Sequence, residues 1–294
     1  MRVLEARAEM TYRLARSHLE IMDVDTGAIT RVKSYDSLIE APNWLPGERL
    51  LYNAGGLIHE IDLKTSEDAP LDTGFCTRCN NDHVVWGDLL AISCFTAEDM
   101  LSRIYTLPLS GGAPTLITPI AHSFLHGISP DGRMLAYCGE RNGEYDIYVI
   151  PTVGGEETRL TSSPGLNDGP EYAPDGRIWF NSVREGNMQI FRMNPDGSDQ
   201  VRMLRTDRND WFPHVSPDGA RVAFISYGQD VSPGDHPPDK DVELWIMDAD
   251  GSNARVLQKL FGGQGTINVN SWAPDSRRIA YVRYERADRG DEHA

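Results

Sequence analysis

The chain is poor in cysteine: Cys76, Cys79, Cys94 and Cys138 are the only four in 294 residues. That is too sparse for a disulfide scaffold and fits a reducing compartment. Basic charge is also short, since 28 Lys and Arg against 44 Asp and Glu leave a net charge of −16. Nucleic acid binding draws its affinity from clustered cations that displace counterions, so a nucleic-acid partner is excluded and an anionic membrane surface disfavoured. There is no run of about 18 apolar residues to span a bilayer. The N-terminal stretch carries Glu5 and Glu9 where a signal peptide needs its apolar segment. The expected location is cytoplasmic, with no membrane partner. Missing as well are a serine-nucleophile elbow, a His-Glu-x-x-His helix and a phosphate loop, because no Gly-Lys-Ser/Thr follows Gly111-Gly112, Gly154-Gly155 or Gly262-Gly263.

What is present is an internal repeat, which decides architecture before any local reading. Ser129-Pro-Asp-Gly132, Ala173-Pro-Asp-Gly176, Ser216-Pro-Asp-Gly219 and Ala273-Pro-Asp-Ser276 each stand between two β-rich runs, as does Leu45-Pro-Gly47. A degenerate copy with a shortened turn starts at His83. Pro presets φ at the second turn position, Asp bonds the turn backbone, and Gly accepts the last conformation. Two further strands follow each copy but the last, joined by a turn such as Val153-Gly-Gly155, Pro195-Asp-Gly197 or Ala249-Asp-Gly251. Four short strands per unit make one propeller blade. Pro130, Pro174 and Pro217 are 44 and 43 residues apart, whereas Pro217 to Pro274 is 57. The excess maps to Gly228–Asp241, a proline-rich insertion between the second and third strands of one blade.

The final copy supplies only two strands. His18–Val32 matches the third strand, glycine turn and fourth strand of the other blades, so the N-terminus is expected to complete the last blade and close the ring. Closure removes two unpaired sheet edges. The expectation is all-β: a single domain over 1–294, a six-bladed β-propeller of four-stranded antiparallel blades over about 18–285, followed by an acidic tail at 286–294.

The Ser/Ala-Pro-Asp-Gly turn, the aromatic-ended strand after it and the later Asp-Gly or Gly-Gly turn resemble the repeats of the TolB-type six-bladed propellers. The resemblance covers the propeller alone. Neither an export signal nor the separate N-terminal domain through which TolB engages its Tol-Pal partners is legible, so a cell-envelope role is not expected.

In a propeller the innermost strand lines the central channel. The residues three or four positions before each Pro-turn are Asn43, His83, His126, Glu171, His214, and Asn270 or Ser271. Imidazoles and carboxylates are typical transition-metal ligands, so His83, His126, Glu171 and His214 are a candidate site for a divalent Zn, Mn or Ni. His126 and His214 are also candidate catalytic bases. The alternatives are a metal-free pocket, or polar groups that only line a wet pore. On the same rim, Trp211, His236 and Lys240 of the insertion, and Gln264, Asn268 and Asn270 of the last linker, join Asn43 and Glu171 as candidate ligand-binding residues. Cys76-Thr-Arg-Cys79 resembles half a metal site, but no second Cys pair completes it, and its redox reading lacks a βαβ context; buried or linker thiols are expected.

These features point to a small polar ligand, a carbohydrate or sugar acid, bound at the channel mouth with metal-assisted lyase or hydrolase chemistry. The channel is similar in composition to those of propeller lyases acting on oligogalacturonate. That resemblance implies a metal on the substrate carboxylate and a proton taken by His126 or His214. The rival reading is a non-catalytic platform for a protein partner, its negative field steering basic surfaces.

Overall fold

In the computed structural model, which describes residues 16–286, the Pro-turns behave as their chemistry demands. Asp131, Asp175, Asp218 and Asp275 each accept a hydrogen bond from the backbone amide two residues on, at 2.9 to 3.2 Å. Gly132, Gly176 and Gly219 follow with φ of 72°, 85° and 74°, and Ser276 takes the same region at 56°. Every such turn reverses the chain into an antiparallel partner, and the pattern generates six sheets.

The first blade comprises Ile39–Leu45, Arg49–Ala54, Leu57–Asp62 and Asp68–Pro70, and the second Cys79–Trp86, Leu89–Phe95, Ser102–Pro108 and Thr115–Leu116. Ser123–Ile128, Met134–Arg141, Glu144–Pro151 and Thr158–Arg159 build the third; Asn167–Tyr172, Ile178–Glu185, Asn187–Met193 and Val201–Arg202 build the fourth. The fifth holds Asn209–Val215, Arg221–Tyr227, Lys240–Asp248 and Arg255–Gly262, with the insertion between its second and third strands as expected. In the sixth, Arg278–Glu285 pairs along its whole length with Arg16–Asp23, which in turn pairs with Ile29–Tyr35. The N-terminal strands close the ring.

One element is shorter than expected. The inner strand of the sixth blade shrinks to a single bridge between Trp272 and Ile279. A 3₁₀ turn at Gln264–Thr266 leads into it, and the Asn270 side chain accepts from the Trp272 amide, which points away from the second strand, at 3.0 Å. The apolar core lies between blades. Leu19, Ala280, Val282 and Tyr284 of the sixth meet Ile39, Trp44, Leu50 and Tyr52 of the first. No helix among the described residues is long and apolar enough to cross a membrane. The tail beyond Arg286 lies outside the described residues.

Candidate functional site

Every complete inner strand carries a bulge part-way along, between Glu40 and Asn43, Cys79 and His83, Leu125 and Gly127, Asp168 and Glu171, and Trp211 and His214. A bulge breaks the ladder and re-aims the side chains around it. Ala41, Gly169 and Phe212 stand at the same place in their bulges, and all three have φ between 54° and 61°.

The ladder separates the candidate residues into two sets. Asn43, Glu171 and His214 pair with Leu51, Trp179 and Ala223, and the residue at that position in the third blade is Gly127, opposite Ala136. His126 therefore lies one residue earlier. His83 does too, because Val84 opposite Ala91 is the counterpart of Gly127 opposite Ala136: Ala91 faces the third blade as Ala136 faces the fourth. Since successive side chains in a strand point to opposite sides, a one-residue offset sends these histidines elsewhere.

The first set closes the channel. Both ring nitrogens of His214 are engaged, Nδ1 with Glu171 Oε2 at 2.6 Å and Nε2 with the Ile267 carbonyl at 2.5 Å. The carbonyl can only accept, so Nε2 carries hydrogen and a proton is shared between Nδ1 and Glu171. Glu171 Oε1 accepts from the Val215 amide at 2.8 Å and from Asn270 Nδ2 at 2.7 Å, while Asn43 Nδ2 donates to the Asn270 carbonyl at 2.6 Å. Side chains of the first, fourth, fifth and sixth blades thus tie across the axis and form a floor.

Above that floor, nearer the start of the inner strands, His126 Nε2 lies 3.2 Å from Asp168 Oδ1. Asp82, preceding His83, accepts from Asn268 Nδ2 at 2.6 Å and from Asn80 Nδ2. The carboxylates of Asp82 and Asp168 diverge in character. Burial pushes Asp82 above the usual carboxylate range despite the nearby His126. Burial also acts on Asp168, but its hydrogen bond to His126 and that ring's charge outweigh it and hold Asp168 low. His126 loses hydration too, yet Asp168 and Asp82 together raise it above the ordinary histidine value. Asn268 Oδ1 and Asn81 Oδ1 are buried acceptors with no donor among the described residues.

The wall on the insertion side is aromatic. Phe212 stacks on His126 with centroids 5.6 Å apart, and His236 meets Trp211 at 4.2 Å and Phe212 at 5.5 Å. His236 thus reaches the channel wall. Trp211 does not present a stacking face at the mouth, because it is fully buried beneath His236. Lys240 turns away to Asp230 within its own loop, at 3.2 Å. Gln264 lies in the 3₁₀ turn of the linker, which the insertion crowds: a Cβ on Gly263, at φ 148°, would come within 2.4 Å of the Pro237 carbonyl.

The proposed metal shell does not assemble. Among the described residues no group of three or more His, Cys, Asp or Glu is arranged to hold a metal ion. His214 is committed to the floor, His126 to Asp168, and His83 is fully buried with neither nitrogen hydrogen-bonded. Ile92 beside His83 belongs to the apolar packing between the first two blades. Asp82 and Asp168 escaped the sequence reading because only one residue per inner strand was counted from the Pro-turn; they stand one residue before His83 and three before Glu171.

The fold defines a six-bladed β-propeller whose inner strands bring buried polar side chains together around the axis. Residues 90–234 match the PD40 family, the TolB beta propeller domain. An uncharacterised protein of Agrobacterium fabrum is 48% identical over 92% of both chains. A TolB candidate of solved structure from Agrobacterium tumefaciens has 47% identity and a TM-score of 0.89, covering 92% of this chain and 99% of that one. The chain belongs to the TolB-type β-propeller family. TolB of Acinetobacter baumannii shares the fold at TM-score 0.62 and 18% identity, over 81% of this chain and 62% of its own. An oligogalacturonate lyase solved with manganese does so at 0.51 and 16%, over 82% and 72%. At such identities the likeness extends to the fold alone.

Proposed function

We propose that this propeller binds a small neutral carbohydrate in the funnel above the Glu171–His214 floor. The observation that carries this reading is the meeting of Asp82, His126, Asp168 and Asn268 at one level, with acceptors in excess of donors. Sugar hydroxyls donate to such acceptors, and a buried acceptor left without a donor costs about 1–3 kcal/mol, which a fitting hydroxyl recovers. A sugar acid is the poorer fit, because its carboxylate would face Asp82 and Asp168 in a poorly solvated space. His126, braced by Asp168, is the group placed to move a proton if the bound sugar is turned over, as a lyase or hydrolase would require. The described residues do not fit a metal.

Thermal shift of the purified protein with matched neutral sugars and uronates tests the reading. A native-state ligand raises the melting temperature by mass action. Neutral sugars should raise it, and Asp82→Asn should abolish the rise. A shift with uronates alone, or with no sugar at all, would sink the proposal. A second reading, a platform for a basic protein partner, is favoured by the net charge of −16 and predicts binding that weakens with salt.

A further inference from the structure

Three of the four cysteines, apart from the channel, come together between the first and second blades. Cys76, Cys79 and Cys94 are 0%, 5% and 2% exposed and pack with Leu45, Leu51, Ile58 and Ile92. All three are free thiols; Cys79 Sγ donates to the Cys76 carbonyl at 3.3 Å and Cys94 Sγ to the Phe95 carbonyl at 3.5 Å. Cys138 stands elsewhere, its thiol donating to the Asn167 carbonyl at 3.4 Å.

Cys79 and Cys94 are direct partners across the inner and second strands of the second blade. The Phe95 amide donates to the Arg78 carbonyl at 3.0 Å, while the Cys79 amide donates away from this pair, to the Gly56 carbonyl at 2.9 Å. The two cysteines therefore occupy a non-hydrogen-bonded position, where facing Cα atoms stand about 4.5 Å apart and side chains are closest. Disulfides bridge Cα separations of about 4.4–6.8 Å, so the strand pair can accept the bond without separating. Access comes from the segment before Cys79: residues 71–78 form no strand, and Phe75, next to Cys76, is 65% exposed and rests edge-on against Tyr105.

We infer that the Cys79–Cys94 pair is an oxidation site that closes to a cross-strand disulfide, with Cys76 as the adjacent exchanging thiol. The co-reactant is a hydroperoxide. One thiolate sulfur attacks the peroxide oxygen, forming a sulfenic acid and releasing an alcohol, or water from hydrogen peroxide. The second thiol then attacks that sulfur and releases water. Two thiols lose two protons and two electrons to the peroxide, and an added thiol reductant restores them.

The test uses the full, reduced chain in native buffer, treated with hydrogen peroxide, alkylated and mapped by mass spectrometry without reduction. A cross-link between the Cys79 and Cys94 peptides, two hydrogen masses lighter and reversed by dithiothreitol, is expected, with Cys138 alkylated. Cys94→Ala should lose the cross-link and Cys138→Ala keep it. Four unmodified thiols in the folded chain, under conditions that oxidise the denatured chain, would overturn the inference. So would a cross-link that involves Cys138, or one confined to Cys76 with no Cys79–Cys94 bond detected at any time of treatment. Should Cys94→Ala fail to fold, the wild-type map alone decides.

Discussion

Ring closure by the N-terminal strand can be tested with one side chain. Leu19 is fully buried and packs against Ala280 and Val282 of the last strand and Trp44 and Tyr52 of the first blade. Beside it, Glu20 accepts from Tyr281 Oη at 2.8 Å, a contact spanning nearly the whole sequence. Leu19→Ala removes most of a buried leucine and leaves a cavity, a change costing about 2–5 kcal/mol. Unfolding entropy near 2.1 cal/mol/K per residue, over 294 residues, amounts to about 0.6 kcal/mol/K, so the melting temperature should fall by about 3–8 °C. Ile29→Ala in the neighbouring outer strand is the control: Ile29 is 46% exposed, and surface changes stay within about 0.5 kcal/mol. Calorimetric scans of the three proteins supply the readout. If Leu19→Ala melts within about 1 °C of wild type, the segment is only appended to the blade and the closure argument is wrong.

Two further outcomes follow from titrating groups. His83, fully buried without a hydrogen-bond partner, is pushed down to about 4 by burial, while in the unfolded chain it titrates near 6.5. Between those values the unfolded state binds the extra proton, so stability falls as pH falls, by about 1.4 kcal/mol per pH unit or about 2 kcal/mol from pH 6.5 to 5. His83→Leu should remove that part of the acid sensitivity, and urea midpoints at pH 7.5 and 5 that drop equally in both proteins would contradict it. His126 is raised chiefly against the opposing effect of burial by its bond to Asp168 and the Asp82 charge, so its stabilising charge is complete below about 6.5 and lost as pH rises through the higher folded value. NMR titration of the ring should show that value dropping in Asp168→Asn, and an unmoved titration would detach Asp168 from His126.

The blades were legible because their turns are local. Asp131 or Asp218 bonding the backbone two residues on needs no tertiary partner, so the same tetrapeptide means the same reversal wherever it stands. Closure was legible for a similar reason: a last repeat with two strands and a first segment shaped like the other two leave one economical pairing, and Arg278–Glu285 makes it with Arg16–Asp23. The sixth inner strand was overestimated because its shortening depends on Asn270, whose side chain bonds both the Trp272 amide and Glu171 two blades away.

The site was legible only in part, and the reason is a matter of register. His126 stands four residues before Pro130 and His214 three before Pro217, so a count that admits both merges two positions; Gly127, three before Pro130, is the true counterpart of His214. In a pleated strand one residue is the difference between two directions, so the offset parts His83 and His126 from His214, and their neighbours part them from each other: His126 meets Asp168, whereas His83 has no hydrogen-bond partner. The bulge upstream of these positions supplies the rest of the site. By admitting extra residues opposite a single partner, it turns Asp168 and Asp82 toward the axis, where they meet His126 and Asn268. A sequence signal for it exists in retrospect, since Ala41, Gly169 and Phe212 are each followed by proline, and a proline lacking its amide marks the place where an inner ladder must break.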